Sequence, residues 1–309
     1  MNRKDRLDSL ATSVLMACCL TWGLNQVAIK VSIAGIPPVL GAGLRSLVAG
    51  ILLYLWCLAR GESLFQRDGT GRHGLLIGLL FAGEFVFLYW GLAFTTASRS
   101  VVFLYSAPFW VALGAHYFIP GERLTRLRVL GLTLAFAGLC LAFAHGLSLP
   151  TRRELIGDFF ELVAGLLWGA TTVVIKMRSD LRITPQRTLF YQLAVSGVAL
   201  VAMAALTGEW HLGPLTPLVL AAFAYQSVVV AFVSYLTWFW LLAHYPASGL
   251  AAFSFWTPLF GVIAGALLLG EHLTGYLGGA VVLVALGIYL VNRQPRPSSS
   301  TARSASQGR

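Results

Sequence analysis

The sequence predicts an all-α polytopic membrane protein: ten transmembrane helices in two inverted five-helix repeats. Three observations predict it: a composition too apolar for water, ten apolar runs separated by turn chemistry, and a resemblance of the chain to itself at a fixed offset. Of 309 residues, 57% are hydrophobic and 11% charged, whereas soluble domains carry about 25% charged and roughly 45–50% apolar residues. So little polar surface cannot cover a water-soluble globule, which excludes a soluble enzyme, a disordered chain and a fibrous repeat. The net charge of +10 would suggest a nucleic-acid partner in a soluble protein. In a membrane protein Lys and Arg instead mark cytoplasmic loops, and no nucleic-acid partner is expected. Cys18, Cys19, Cys57 and Cys140 all fall in apolar runs, so they read as packing residues rather than a disulfide framework.

A spanning helix needs about 20 mostly apolar residues. Ten runs qualify: residues 10–34, 38–59, 74–95, 98–119, 127–145, 156–176, 185–207, 216–241, 247–270 and 273–291. The first run is too long for a signal-peptide core, holds Asn25, Gln26 and Lys30, and lacks a small-x-small cleavage site, so it reads as an uncleaved span. The connectors carry turn residues, such as Gly35 to Pro38, Arg67–Asp68–Gly69, Pro120–Gly121 and Gly213–Pro214. Residues 292–309 are rich in Pro, Ser and Arg with no apolar face, and are expected to be a disordered cytoplasmic tail. With the N-terminus inside, seventeen basic residues fall on the cytoplasmic side, and three (Arg99, Arg152, Arg153) on the other. This asymmetry predicts both termini in the cytoplasm.

The chain also repeats itself. LTWGLNQVAIK at 20–30 and LLWGATTVVIK at 166–176 share six of eleven positions at an offset of 146. GERLT at 121–125 matches GEHLT at 270–274; Pro108 mirrors Pro258, and Ala97–Ser98 mirrors Ala247–Ser248. Because five is odd, the second half would enter the membrane from the opposite side, a plan that recurs in secondary transporters with the substrate site near the midplane. Duplication also builds some channels and assembly subunits.

The stretch from Gly91 to Phe143, its echo from Ala247 to Val291, and the WG segments at Trp22 and Trp168 resemble the EamA domain of the drug/metabolite transporter superfamily. The resemblance covers nearly the whole chain, as a first repeat over 10–145 and a second over 156–291. It implies ten helices in inverted repeats and export of amino acids or related metabolites by alternating access in a bacterial inner membrane; relatives similar in architecture export aromatic amino acids. The motifs identify the superfamily better than the substrate, and a multidrug or other metabolite carrier of the same fold is the alternative. His272 stands where the second GER motif usually has Arg, a departure that bears on that loop's salt bridges.

Within this frame, polar residues inside apolar spans are the candidates for the site, because lipid offers them no partner. Trp22, Asn25, Gln26 and Ile29 share one helix face, as do Trp168, Thr171, Thr172 and Ile175. They read either as paired walls of a substrate pocket or as interhelical glue. Glu84 at the centre of its run costs on the order of 2.5–3.5 kcal/mol if ionised without a partner. It could carry a proton, meet a substrate ammonium, or pair with Arg45. Pro108 and Pro258 each free a carbonyl and bend a helix; their mirrored placement reads either as paired gating bends that line the pathway, with Tyr105 and Phe255 one turn before them, or as purely structural kinks. Gln226, Ser234 and Thr237, with Tyr225 and Trp238, sketch a further wall. Thr125 and Thr274 read as helix N-caps, with Glu122 and Glu271 near the positive ends; a gating role is the alternative. Lys30 and Lys176 read as snorkelling to the headgroups, and Trp56 and Trp210 as interface-belt residues.

The enzyme class lacks its signals. No HExxH or Walker motif occurs, and the six histidines, His116 and His145 among them, are scattered. No catalytic residue, metal or cofactor is expected. A channel would need a charged ring or carbonyl filter, which the sequence does not display. The expected partners are a small-molecule substrate and the bilayer. One chain holds both halves, so a monomer suffices.

Overall fold

The structure is a computed structural model and describes residues 4, 7–65, 69–147, 149–177, 183–270 and 275–293. Among the described residues it is entirely helical, without strands. The helices are α1 (Ser9–Ser32), α2 (Pro38–Ala59), α3 (Gly71–Phe94), α4 (Ala97–Leu104), α5 (Ala107–Phe118), α6 (Arg126–Ala142) and α7 (Arg152–Met177). They continue as α8 (Pro185–Leu206), α9 (Pro217–Ala224), a π-helical segment (Tyr225–Ser234), α10 (Tyr235–His244), α11 (Ala247–Phe253), α12 (Trp256–Leu269) and α13 (Leu277–Asn292). By length and composition eight helical stretches can cross a membrane, counting 97–118, 217–244 and 247–269 as continuous; α13 is a shorter apolar helix. At 17 residues, α6 also falls short of the usual span. The protein is a multi-pass membrane protein.

Each boundary has a local cause. Asp8, Thr96, Thr125, Thr184 and Thr216 accept backbone N–H bonds at the starts of α1, α4, α6, α8 and α9, satisfying donors no helix can pair internally. Thr125 is thus the cap its position predicts; Glu271, His272 and Thr274 lie outside the described residues. Proline opens α2, α8 and α9, where its missing N–H costs nothing. Gly270 ends α12 at φ 70°, the left-handed cap that suits glycine.

The two mid-run prolines interrupt their helices outright. Before Pro108 the chain turns through Tyr105 and Ser106, with Ser106 N donating to Phe103 O and Phe109 N to Ser106 O. Before Pro258 the same tightening runs from Ser254 N to Ala251 O and from Thr257 N to Ser254 O. Missing amide hydrogens thus turn the expected bends into short three-residue turns.

Packing joins early helices to late ones. Helix α1 lies on α12 and on α9 with the π segment, α2 on α8, α3 on α7 and α8, α4 and α5 on α7, α5 on α11, and α6 on α13. Glu122 sits at one such junction. Its carboxylate accepts from Ala247 N (2.9 Å), Ser248 N (3.0 Å) and Ser248 Oγ (2.7 Å), so it caps α11 rather than the neighbouring α6. Lys176 departs from expectation: it is buried, and its ammonium donates to the carbonyls of Leu242 and Tyr245 at the end of α10. Snorkelling is ruled out by that burial. Trp56 carries the Arg60 guanidinium over its ring at 4.7 Å, and Trp210 is exposed.

Below α1, Lys4 and Tyr245 both donate to the Asp8 carboxylate. The Lys4 ammonium, then the Ala11 amide, hold the Asp8 carboxyl down at about 2 from an ordinary 3.8. A depressed carboxyl stabilises above its unfolded value and loses that contribution as pH falls through the folded one. The difference in unfolding midpoint between wild type and Asp8→Asn should therefore stay constant above about pH 5 and shrink between about pH 4 and pH 2. A gap that persists at pH 2 would contradict this origin.

Candidate functional site

Between α1, α3, α4, α7, α8, α12 and the segment from Val230 to Phe239 lies a cavity of about 170 Å³. An engineered cavity of about 150 Å³ admits benzene, so the chamber suits one aromatic ring. Nine of the ten substrate-contact candidates line it: Trp22, Asn25, Gln26, Glu84, Tyr105, Trp168, Thr171, Thr172 and Trp238. The two helix faces read from the sequence, one on α1 and one on α7, thus open onto the same space. Tyr225 does not. Its hydroxyl donates to Thr21 O at 3.0 Å, so its polar end is satisfied by backbone outside the cavity. Pro108 and Pro258 do not line it, and Phe255 is buried against Phe136.

The aromatic lining is interlocked edge to face. Trp22 meets Trp238 at 5.6 Å and Tyr235 at 6.5 Å between ring centroids; Phe81 meets Tyr235 at 6.2 Å, and Tyr105 meets Trp168 at 5.5 Å. Such pairs add about 0.5–1.5 kcal/mol each beyond burial. The Trp22 indole N–H donates to Ser234 Oγ at 2.8 Å, and Ser234 in turn to Val230 O at 2.6 Å inside the π segment. Thr171 and Thr172 donate to the carbonyls of Leu167 and Trp168.

Three polar atoms at the cavity wall are buried without a partner: Asn25 Oδ1, Glu84 Oε2 and Thr257 Oγ1. Glu84 and Arg45 form no hydrogen bond or ion pair. The Arg45 guanidinium lies 5.2 Å from the centroid of the Phe85 ring, and its Nε and Nη2 lack hydrogen-bond partners. A fixed Glu84–Arg45 brace is therefore not what holds the early helices together.

A second buried charge cluster escaped sequence reading. Arg99, at the start of α4, is buried and clasps Asp158 of α7 through Nε (3.1 and 3.2 Å to the two oxygens) and Nη2. Thr95 donates to Asp158 at 2.7 Å and Ser100 to Glu161 at 2.6 Å. Phe81, Gln192, Tyr235, Phe239 and Thr257 of the cavity lining were also not singled out. Phe81 lies one turn before Glu84, and Gln192 is an amide inside an apolar run; both signals were available.

Taken together, these features describe a multi-pass membrane protein built around one ring-sized aromatic chamber. Residues 10–144 and 155–293 each match the EamA-like transporter family, and the chain belongs to that family. It is 28% identical over 301 residues to a probable amino-acid metabolite efflux pump of Salmonella typhimurium, covering 94% of this chain and 95% of that one. It is 27% identical over 299 residues to the uncharacterized transporter YvbV of Bacillus subtilis, covering 96% of both. A solved crystal structure superposes with a TM-score of 0.78 at 21% identity, covering 92% of this chain and 98% of the other; that likeness is one of fold. Family and relatives point to a transporter rather than an enzyme.

Proposed function

We propose that the protein is a secondary transporter that exports small amphipathic metabolites, foremost amino acids with aromatic or other bulky apolar side chains. It works by alternating access about the cavity, as a monomer in a bacterial inner membrane with both termini cytoplasmic. In this reading ten helices cross the membrane as two inverted repeats, residues 10–145 and 156–291, followed by the cytoplasmic tail 292–309. Supporting the repeat is the pairing of helices, which is nearly unchanged when the halves are exchanged. The first run packs on the ninth as the sixth packs on the fourth, and the third packs on the sixth as the eighth packs on the first. Two such related packings differing by a few kcal/mol are what alternation requires.

The single observation that carries the reading is the convergence of the α1 and α7 faces on one chamber. Indoles and phenol rings would receive an apolar side chain; Asn25, Gln26, Thr171 and Thr172 would meet its polar end. Pro108 and Pro258 would supply the breaks about which α4/α5 and α11/α12 pivot. The amino-acid assignment draws on the efflux pumps of Salmonella typhimurium and, at 27% identity, of Escherichia coli.

Counterflow tests it. Proteoliposomes loaded with unlabelled phenylalanine should accumulate the labelled compound faster than unloaded ones, and Trp168→Ala should cut that flux about two- to tenfold, the loss of one aromatic contact. Absence of saturable flux with folded protein would remove the amino-acid assignment; flux without counterflow would indicate a channel.

A further inference from the structure

The chamber is one-sided in charge. Among its lining residues Glu84 alone carries a carboxylate, and none is a lysine or an arginine. Glu84 is 8% exposed, and its Oε2 has no partner. The guanidinium of Arg45 lies over Phe85 and outside the lining, so its charge reaches Glu84 only through space.

Three of the neutral lining groups lean the same way. Trp22 commits its N–H to Ser234, and Thr171 and Thr172 commit their hydroxyl protons to their own helix. What these side chains leave for a ligand is ring faces and lone pairs. Asn25 Oδ1 adds a buried acceptor without a partner. Acceptors and aromatic faces around one carboxylate favour a cation, because ring quadrupoles attract positive charge and a buried anion pairs with it. A ligand carboxylate would instead meet Glu84 as a like charge at low dielectric, with only uncharged donors to hold it: side-chain amides, the Trp168 indole and the hydroxyls of Tyr105, Tyr235 and Thr257.

On the carrier reading given above, we propose that the chamber recognises its cargo by an ammonium group held at Glu84. The apolar body lies against the rings of Trp22, Phe81 and Tyr235, and a carboxylate on the cargo contributes nothing to binding. Arylalkyl primary amines are then cargo at least as good as the corresponding amino acids.

Three probes share one ring and one tether: phenylalanine, phenethylamine, which lacks its carboxylate, and 3-phenylpropionate, which lacks its ammonium. Titrated calorimetrically into the full-length protein in nanodiscs, phenethylamine should bind at least as tightly as phenylalanine. 3-Phenylpropionate should bind at least about tenfold more weakly, about 1.4 kcal/mol. Glu84→Gln should bring the three affinities together, and Glu84→Asp should keep their order. If Glu84→Gln fails to fold, judged by its unfolding midpoint, the wild-type ranking alone decides. Equal or tighter binding of 3-phenylpropionate overturns ammonium recognition, while intact phenylalanine counterflow in the same preparation would leave the carrier standing. Folded protein that neither binds any of the three nor shows counterflow overturns both.

Discussion

Arg99→Ala should destabilise the protein by about 3–5 kcal/mol, the range for breaking one side of a buried ion pair. The pair is buried on both sides, and the guanidinium meets both Asp158 oxygens. Without it, Asp158 would keep only the Thr95 hydroxyl at 2.7 Å. It would also stand one helical turn from Glu161, a second buried carboxylate on the same helix. Asp158→Asn should cost comparably, since the stranded group is then the cation. Replacing both members, Arg99→Met with Asp158→Leu, should recover most of the loss, because a well-packed apolar pair avoids the desolvation cost that the ion pair carries. Denaturant unfolding in mixed micelles reads all three. A single Arg99→Ala variant within about 0.5 kcal/mol of wild type, the scale of an exposed pair, would show that the charges are not buried together in the folded protein.

Gly131→Val and Gly287→Val should each cost at least about 3 kcal/mol, the upper end for overpacking. At this crossing of α6 and α13 a Cβ on Gly131 would stand 2.6 Å from Gly287 O and 2.8 Å from Val291 N. One on Gly287 would strike Gly131 O and stand 2.8 Å from Ala135 Cβ. The obstacle is backbone on both sides, so no side chain can swing aside, and the helices would have to separate. Small residues permit such close approach in membranes, where packing rather than water drives association. Gly278→Ala, in the same α13 with open space around it, should instead stabilise by about 0.5–1 kcal/mol. The opposite signs within one helix separate close packing from helix propensity. Equal effects of Gly287→Val and Gly278→Ala on the unfolding midpoint would contradict the crossing.

Much of the cavity was legible because polarity inside an apolar run announces itself. Asn25, Gln26, Glu84, Thr171 and Thr172 stand out against their neighbours, and helical spacing places them on faces with Trp22 and Trp168. Phe81, Tyr235 and Phe239 carried no such contrast, since an aromatic ring in an apolar helix is equally at home in lipid, in the core or at a cavity. Tyr225 misled for the converse reason: a phenol hydroxyl can be satisfied by one backbone carbonyl and need not face a ligand. Contacts across the chain were out of reach. Arg99 reads as a loop cation until Asp158, 59 residues on, is brought beside it. Lys176 reads as a helix-end cation until the end of α10 supplies two carbonyls. The π-helical hydrogen bonding of Tyr225–Ser234 likewise has no signature in an apolar period, which fits an α-helix as well.

The cap that Glu122 places on α11 also has a schedule. Its nearer partner, Ala247, lies 125 residues further along the chain. At the usual synthesis rate of about 5–20 residues per second, roughly 6–25 s pass between the appearance of the carboxylate and that of the amides it holds here. The early helices must therefore insert and persist for that interval on contacts of their own, and the junction closes only as α11 arrives.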